Sequence, residues 1–179
     1  MKKKRTTKAK KKPVAKKAAK KAAKKKVSAI PRGYHTVTPH LVCRNAAAAM
    51  AFYQKAFGAK ELLRMSMPGG GIAHAEMQIG DSRIMLGDEA PEMGASAPPT
   101  VGGSPVNIFL YLKDVDKVFA AATAAGAKAD MPPTDMFWGD RYAKLTDPFG
   151  HKWSMATHIE DVSAKEMARR SAAAFPASA

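Results

Sequence analysis

The sequence predicts an α+β protein made of two βαβββ modules behind a basic N-terminal tail. Three observations predict it. Hydrophobic periodicity after residue 26 runs strand, helix and three strands, twice over. The phrase Gly-Ala-Lys closes both helical stretches, at residues 58–60 and 126–128, 68 positions apart. All excess charge sits in the first 26 residues, with 14 Lys, one Arg and no acid, while the remainder balances 15 basic against 15 acidic side chains.

Each element follows from local pattern. Residues 36–44 alternate as a strand, Asn45 is an N-cap, and the helix after it shows Ala48, Phe52, Ala56 and Phe57 on one side before a left-handed Gly58. Strands are expected at 60–67, 72–80 and 82–88, with Gly69 to Gly71 as a turn able to act as a flap. The stretch 89–105 is rich in Gly, Ala, Ser and Pro and reads as a linker. A strand at 106–113, an Asp114 cap, a helix with Val115, Val118, Phe119 and Ala122 inward, and strands at 129–137, 141–146 and 152–157 complete the second module. Pro132 and Pro133 put the first of those three strands at a sheet edge. Residues 164–173 read as a short helix, and the end at Ala179 as a frayed terminus.

The domain boundaries expected are a disordered tail at 1–29, a folded unit at 30–163 (modules 34–88 and 106–160, linker 89–105) and a C-terminal segment at 164–179. Like charges and low apolar content keep the tail disordered when free. It has no aromatic residue, so it offers counterion release at phosphates without base stacking, which means sequence-independent nucleic-acid binding. The cations for this are Lys2, Lys3, Lys4, Arg5, Lys10, Lys11, Lys12, Lys16, Lys17, Lys20, Lys21, Lys24, Lys25 and Lys26. Cys43 is the single cysteine, so no internal disulfide forms and a reducing compartment fits. No apolar run is long enough for a membrane span, and no apolar h-region follows the basic start. The expected location is the cytoplasm, on the nucleoid through the tail, or the nucleus in a eukaryote.

Four motifs carry a family resemblance: Phe52-Tyr53-x-x-x-Phe57-Gly58, His74-Ala75-Glu76, Asp147-Pro148-Phe149-Gly150-His151-Lys152-Trp153, and Thr157-His158-Ile159-Glu160-Asp161-Val162-Ser163. Over residues 30–170 the chain resembles the vicinal oxygen chelate superfamily, and within it the PhnB-like, glyoxalase/bleomycin-resistance-type branch. The tail resembles the Lys/Ala-rich tails of linker histones. The body's resemblance implies that the two modules form a cup-shaped mixed sheet with helices outside, and that the protein is a homodimer. Metal-dependent members carry a ligand on the first and last strand of each module. Those positions register here at Thr38, Met85, Asn107 and Ser154, none of them a good ligand.

Strand alternation assigns the faces. The apolar side of each strand should meet the helices, leaving His40, His74, Glu76, Gln78, Asn107, Tyr111 and Ser154 around one cavity. Trp138 and Arg141, in the Trp-Gly-Asp-Arg-Tyr stretch, are expected to clamp an anionic or aromatic ligand at its rim. Trp153 and Cys43 fall on the core side. The first expectation is a small-molecule binder without resident cofactor. The second is a divalent-metal lyase, isomerase or dioxygenase using His40, His74 and Glu76 as ligands, with His74 and Glu76 as catalytic pair. The third is a nucleic-acid-associated interaction protein with a non-catalytic cup.

Overall fold

The computed structural model describes residues 27–175; the basic tail and the last four residues, with the expectations placed on them, lie outside that range. The first module runs β1 (His40–Cys43), α1 (Ala46–Phe57), β2 (Lys60–Ser66), β3 (Ile72–Ile79) and β4 (Ser82–Asp88). The connection holds a 3₁₀ turn, Pro91–Met93, and α2 (Pro98–Val101). The second module runs β5 (Asn107–Tyr111), α3 (Val115–Ala124), β6 (Lys128–Asp135), β7 (Asp140–Thr146) and β8 (Lys152–His158), and α4 (Ala164–Ala174) closes the chain. The two sheets have the same topology, β1-β4-β3-β2 and β5-β8-β7-β6, each with one parallel pair between its first and last strands.

The caps form as read. Asn45 Oδ1 accepts from the Ala48 amide and Asp114 Oδ1 from the Lys117 amide, each at 2.9 Å. Gly58 ends α1 at φ 64°. Two expectations shift. β1 starts at His40, not at residue 36, because Pro39 has no N–H for a ladder, although its carbonyl still accepts from Met85 at 2.8 Å. The linker is not structureless: Pro91 and Pro98 preset the first helical turns, and Gly94 and Gly102 end them in the left-handed region. β6 is an edge strand, and its register slips between Met131 and Thr134, around the two prolines. β2 is the matching edge of the first sheet, exposed at every position and irregular between Glu61 and Leu63 and between Met65 and Ser66.

α1 and α3 pack against each other and against the apolar faces of their sheets, so one core serves both modules. Phe57 lies 4.6 Å and Tyr53 5.4 Å from Trp153, ring centre to ring centre. Each such buried side chain contributes about 1.5–3 kcal/mol. A carboxylate is buried with them: Asp147 accepts from Tyr53 Oη at 2.8 Å, Trp153 Nε1 at 2.9 Å, and the amides of Phe149 and His151 at 2.9 Å. Four donors replace the water it has lost, the condition for a buried charge. Trp153 and Cys43 are fully buried, as alternation requires.

Candidate functional site

Backbone pairing determines which side chains share a face. In the first sheet Met85 pairs with His40 on one side and Glu76 on the other, so these three form one row. His74 sits one row along: its ring meets His40 edge-on at 5.9 Å, and its Nε2 stands 3.5 Å from Glu76 Oε1. Arg83 Nη1 approaches Glu76 Oε2 at 3.8 Å. Partial burial first and the neighbouring His74 second push the His40 imidazole below its usual range. Gln78 turns its amide onto the Gly80 carbonyl at 2.9 Å.

The segment before β1 crosses this face. Ala29, Ile30, Tyr34, Thr36 and Thr38 of that segment, with Glu76 and Met85 of the sheet, line a cavity of about 430 Å³, within the range of small-molecule sites. Tyr34 lies over the Arg83 guanidinium at 4.5 Å. Its phenol is held above its ordinary range by burial and then by Glu76, and its sealed hydroxyl has no hydrogen-bond partner among the described residues.

The concave side of the second sheet is aromatic. Phe109 stacks on Tyr142 at 5.9 Å and meets Tyr111 at 4.9 Å, while Trp138 meets Tyr142 at 5.7 Å. Tyr142 Oη and Ser154 Oγ are 2.9 Å apart, and Asn107 pairs with Lys152 at the end of the same face. Phe109 and Tyr111 are 46% and 69% exposed. At the other end Asp140 is buried and accepts from His158 Nδ1 at 2.8 Å, Trp138 Nε1 at 3.1 Å and Tyr111 Oη at 3.3 Å. His158 Nε2 reaches Asp161 at 3.0 Å. Asp140 and then Asp161 raise the His158 pKa.

Two expectations are corrected. His40, His74 and Glu76 come together on the first sheet, and Asn107, Tyr111 and Ser154 share a face of the second; among the described residues no hydrogen bond or ion pair joins the two groups. Arg141 is no rim clamp: it shares a side of β7 with buried Ala143 and Leu145, facing α3. There it donates to both Asp116 oxygens at 2.6 and 2.7 Å and to Asp135 at 2.8 Å, which satisfies its guanidinium. The metal set also fails to converge. His40 and Glu76 flank Met85 two strand spacings apart, roughly 9–10 Å at the backbone, and no three His, Cys, Asp or Glu among the described residues could share an ion. The position level with Met85 is His40 rather than Thr38, and the one level with Ser154 is Phe109. Thioether, hydroxyl and phenyl groups beside one imidazole are a poor donor set for a divalent ion.

Reading single strands missed Asp140, His158 and Tyr34. The first two stood in the quoted stretches, but only the β7–β8 register makes them partners. Tyr34 precedes every strand and carried no periodic signal.

Residues 34–155 match the family described as Glyoxalase/Bleomycin resistance protein/Dioxygenase superfamily. An uncharacterized protein of Mycobacterium bovis is 44% identical over 134 residues, covering 73% of this chain and 88% of that protein. TioX from a Micromonospora species superposes with a TM-score of 0.55 at 28% identity, over 69% of this chain and 98% of that one. FosX from Listeria monocytogenes, solved with Mn(II) and sulfate, has a TM-score of 0.55 at 14% identity over 76% of this chain and 97% of that one, a likeness of fold alone.

Proposed function

The chain belongs to the Glyoxalase/Bleomycin resistance protein/Dioxygenase superfamily, and from that premise we propose that it binds a small organic molecule on its concave faces without a resident metal. The cavity of about 430 Å³ between the N-terminal segment and the first sheet carries this reading. Its wall combines Ile30, Pro31 and Met85 with the Glu76 carboxylate and threonine hydroxyls, which suits a largely apolar, uncharged or cationic molecule better than an anion. The open aromatic face with Phe109, Tyr111, Trp138, Asn107 and Ser154 gives a second copy of the chain a surface to cover, so the working form is a homodimer. The tail holds this unit on nucleic acid through phosphate contacts alone.

The test uses the full chain, purified without chelators, and the neutral naphthalene ketone prodan. Saturable, blue-shifted prodan fluorescence with metal far below one ion per chain is expected. Near-stoichiometric metal that disappears in His74→Ala would overturn the metal-free reading, and no prodan binding would overturn the binding reading.

A second reading rests on the 3.5 Å approach of His74 to Glu76: an acid–base pair in which Glu76 orients the imidazole. It predicts that His74→Ala leaves prodan affinity within about twofold while abolishing any turnover found. Loss of binding alone, with turnover kept, would refute it.

A further inference from the structure

We infer that the junction between the two modules is a separate binding site for a small neutral molecule with an apolar body and one O–H donor, and that His151 is its polar contact. A cavity of about 310 Å³ lies under the connecting segment, walled mainly by Leu41, Val42, Pro98, Val101, Ile108 and His151, with Ser96 and Ser104 also in its lining. It borders the first concave face at His40.

The site is built by a motif that the concave faces leave unused. In Asp147-Pro148-Phe149-Gly150-His151 the Gly150 amide closes a turn onto the Asp147 carbonyl at 3.0 Å, and Asp147 Oδ1 takes the His151 amide at 2.9 Å. Gly150 has φ 89°, and a Cβ there would stand 3.0 Å from Pro98, so turn and connection close on each other over the cavity.

His151 is only 7% exposed. Its Nε2 lies 3.1 Å from the Val42 carbonyl, which can only accept, so Nε2 carries the proton. Burial lowers the imidazole pKa, so the ring is neutral and Nδ1 keeps its lone pair. Nδ1 has no partner among the described residues. The Tyr34 hydroxyl is the one sealed, unpartnered side-chain nitrogen or oxygen among them, so Nδ1 is not sealed, and the ring that carries it lines the cavity. A buried acceptor within largely apolar walls, whose only other polar side chains are the neutral Ser96 and Ser104 hydroxyls and His40 at the border, selects a neutral donor such as a phenol or alcohol. An anion would meet a lone pair with Asp147 nearby, and a cation would find no counter-charge. Cys43 Sγ is 3.7 Å from Nε2, but its thiol is fully buried and pushed up to about 12, so the site binds without forming a covalent bond.

The test compares 2-naphthol with 2-methoxynaphthalene, which has the same ring system and no O–H, on the full-length protein. The naphthol should bind about three- to tenfold tighter, the worth of one hydrogen bond. Its addition should move the His151 Nδ1 nitrogen resonance while Nε2 stays. His151→Phe also removes the bond to Val42 and confuses folding with binding, so Val101→Trp is the variant of choice. Val101 is 63% exposed, and an indole there fills the cavity from outside, which should abolish naphthol binding while prodan binding persists. Equal affinity for the two naphthalenes, an unmoved Nδ1 resonance, undiminished binding by Val101→Trp, or no naphthol binding would each overturn the inference without touching the concave-face reading.

Discussion

The Tyr53 hydroxyl donates to the Asp147 carboxylate at 2.8 Å, joining the helix of the first module to the β7–β8 turn of the second across 94 residues of chain. Both groups are buried, so the bond links the halves where no water can replace it. Tyr53→Phe keeps the ring and removes one of four donors to a buried charge. It should cost about 1–3 kcal/mol, read as a lower urea midpoint at unchanged slope. A lowered slope instead would mean that the halves unfold separately.

Two histidines should give stability opposite pH dependences. Asp140, and then Asp161, hold His158 above the usual imidazole range. Its contribution is therefore complete below the unfolded value of about 6.5 and is lost as pH rises through the folded one. Burial holds His151 below that range. Its contribution is present above the unfolded value and lost as pH falls toward and through the folded one. Ring-proton NMR titration should find the two on opposite sides of an exposed histidine, and Asp140→Asn should return only His158 toward the ordinary range. Identical titrations would contradict the geometry.

Glycines with similar backbone angles should tolerate a methyl group differently. Gly58, at φ 64°, has open space where a Cβ would go, so Gly58→Ala should cost about 1 kcal/mol for the left-handed conformation alone. Gly139, at φ 94°, faces the Glu160 carbonyl and Val162 where its Cβ would go. Gly139→Ala must displace the loop carrying Trp138 and Asp140, at an expected cost above about 3 kcal/mol. Thermal melts of the two variants, side by side, check the ranking.

The tail should confer all salt-sensitive DNA binding. With about eight cations on phosphates, log affinity should fall against log salt with a slope near −7, and deletion of residues 1–26 should remove the dependence. A truncated chain that binds equally well would place the nucleic-acid surface in the body.

Much of the fold was legible because its signals are local. Asn45, Gly58 and Asp114 mark helix ends whatever surrounds them, and the double prolines of β6 announce an edge. Strand parity also placed Trp153 and Cys43 in the core. The candidate site was legible only within each strand. Arg141 shares its parity with Ala143 and Leu145, which was visible in the chain, but its partners Asp116 and Asp135 lie on α3 and β6. How the two sheets sit together depends on how α1 meets α3, a contact between residues some 60–70 positions apart that no periodicity encodes. Tyr34 and the wall it builds belong to an irregular segment, where neither alternation nor capping gives a signal.

The duplicated sheets end in edges that refuse a further strand by different means. In β6, Pro132 and Pro133 remove two amide donors and break the register. β2 keeps its donors and shows Leu62, Leu63 and Met65 at 40%, 41% and 53% exposure, guarded by the charges of Lys60, Glu61 and Arg64 and by two irregularities. Aggregation of this protein should therefore begin at β2, and high salt, which screens its charges, is the condition under which the first module becomes the seed for intermolecular sheet.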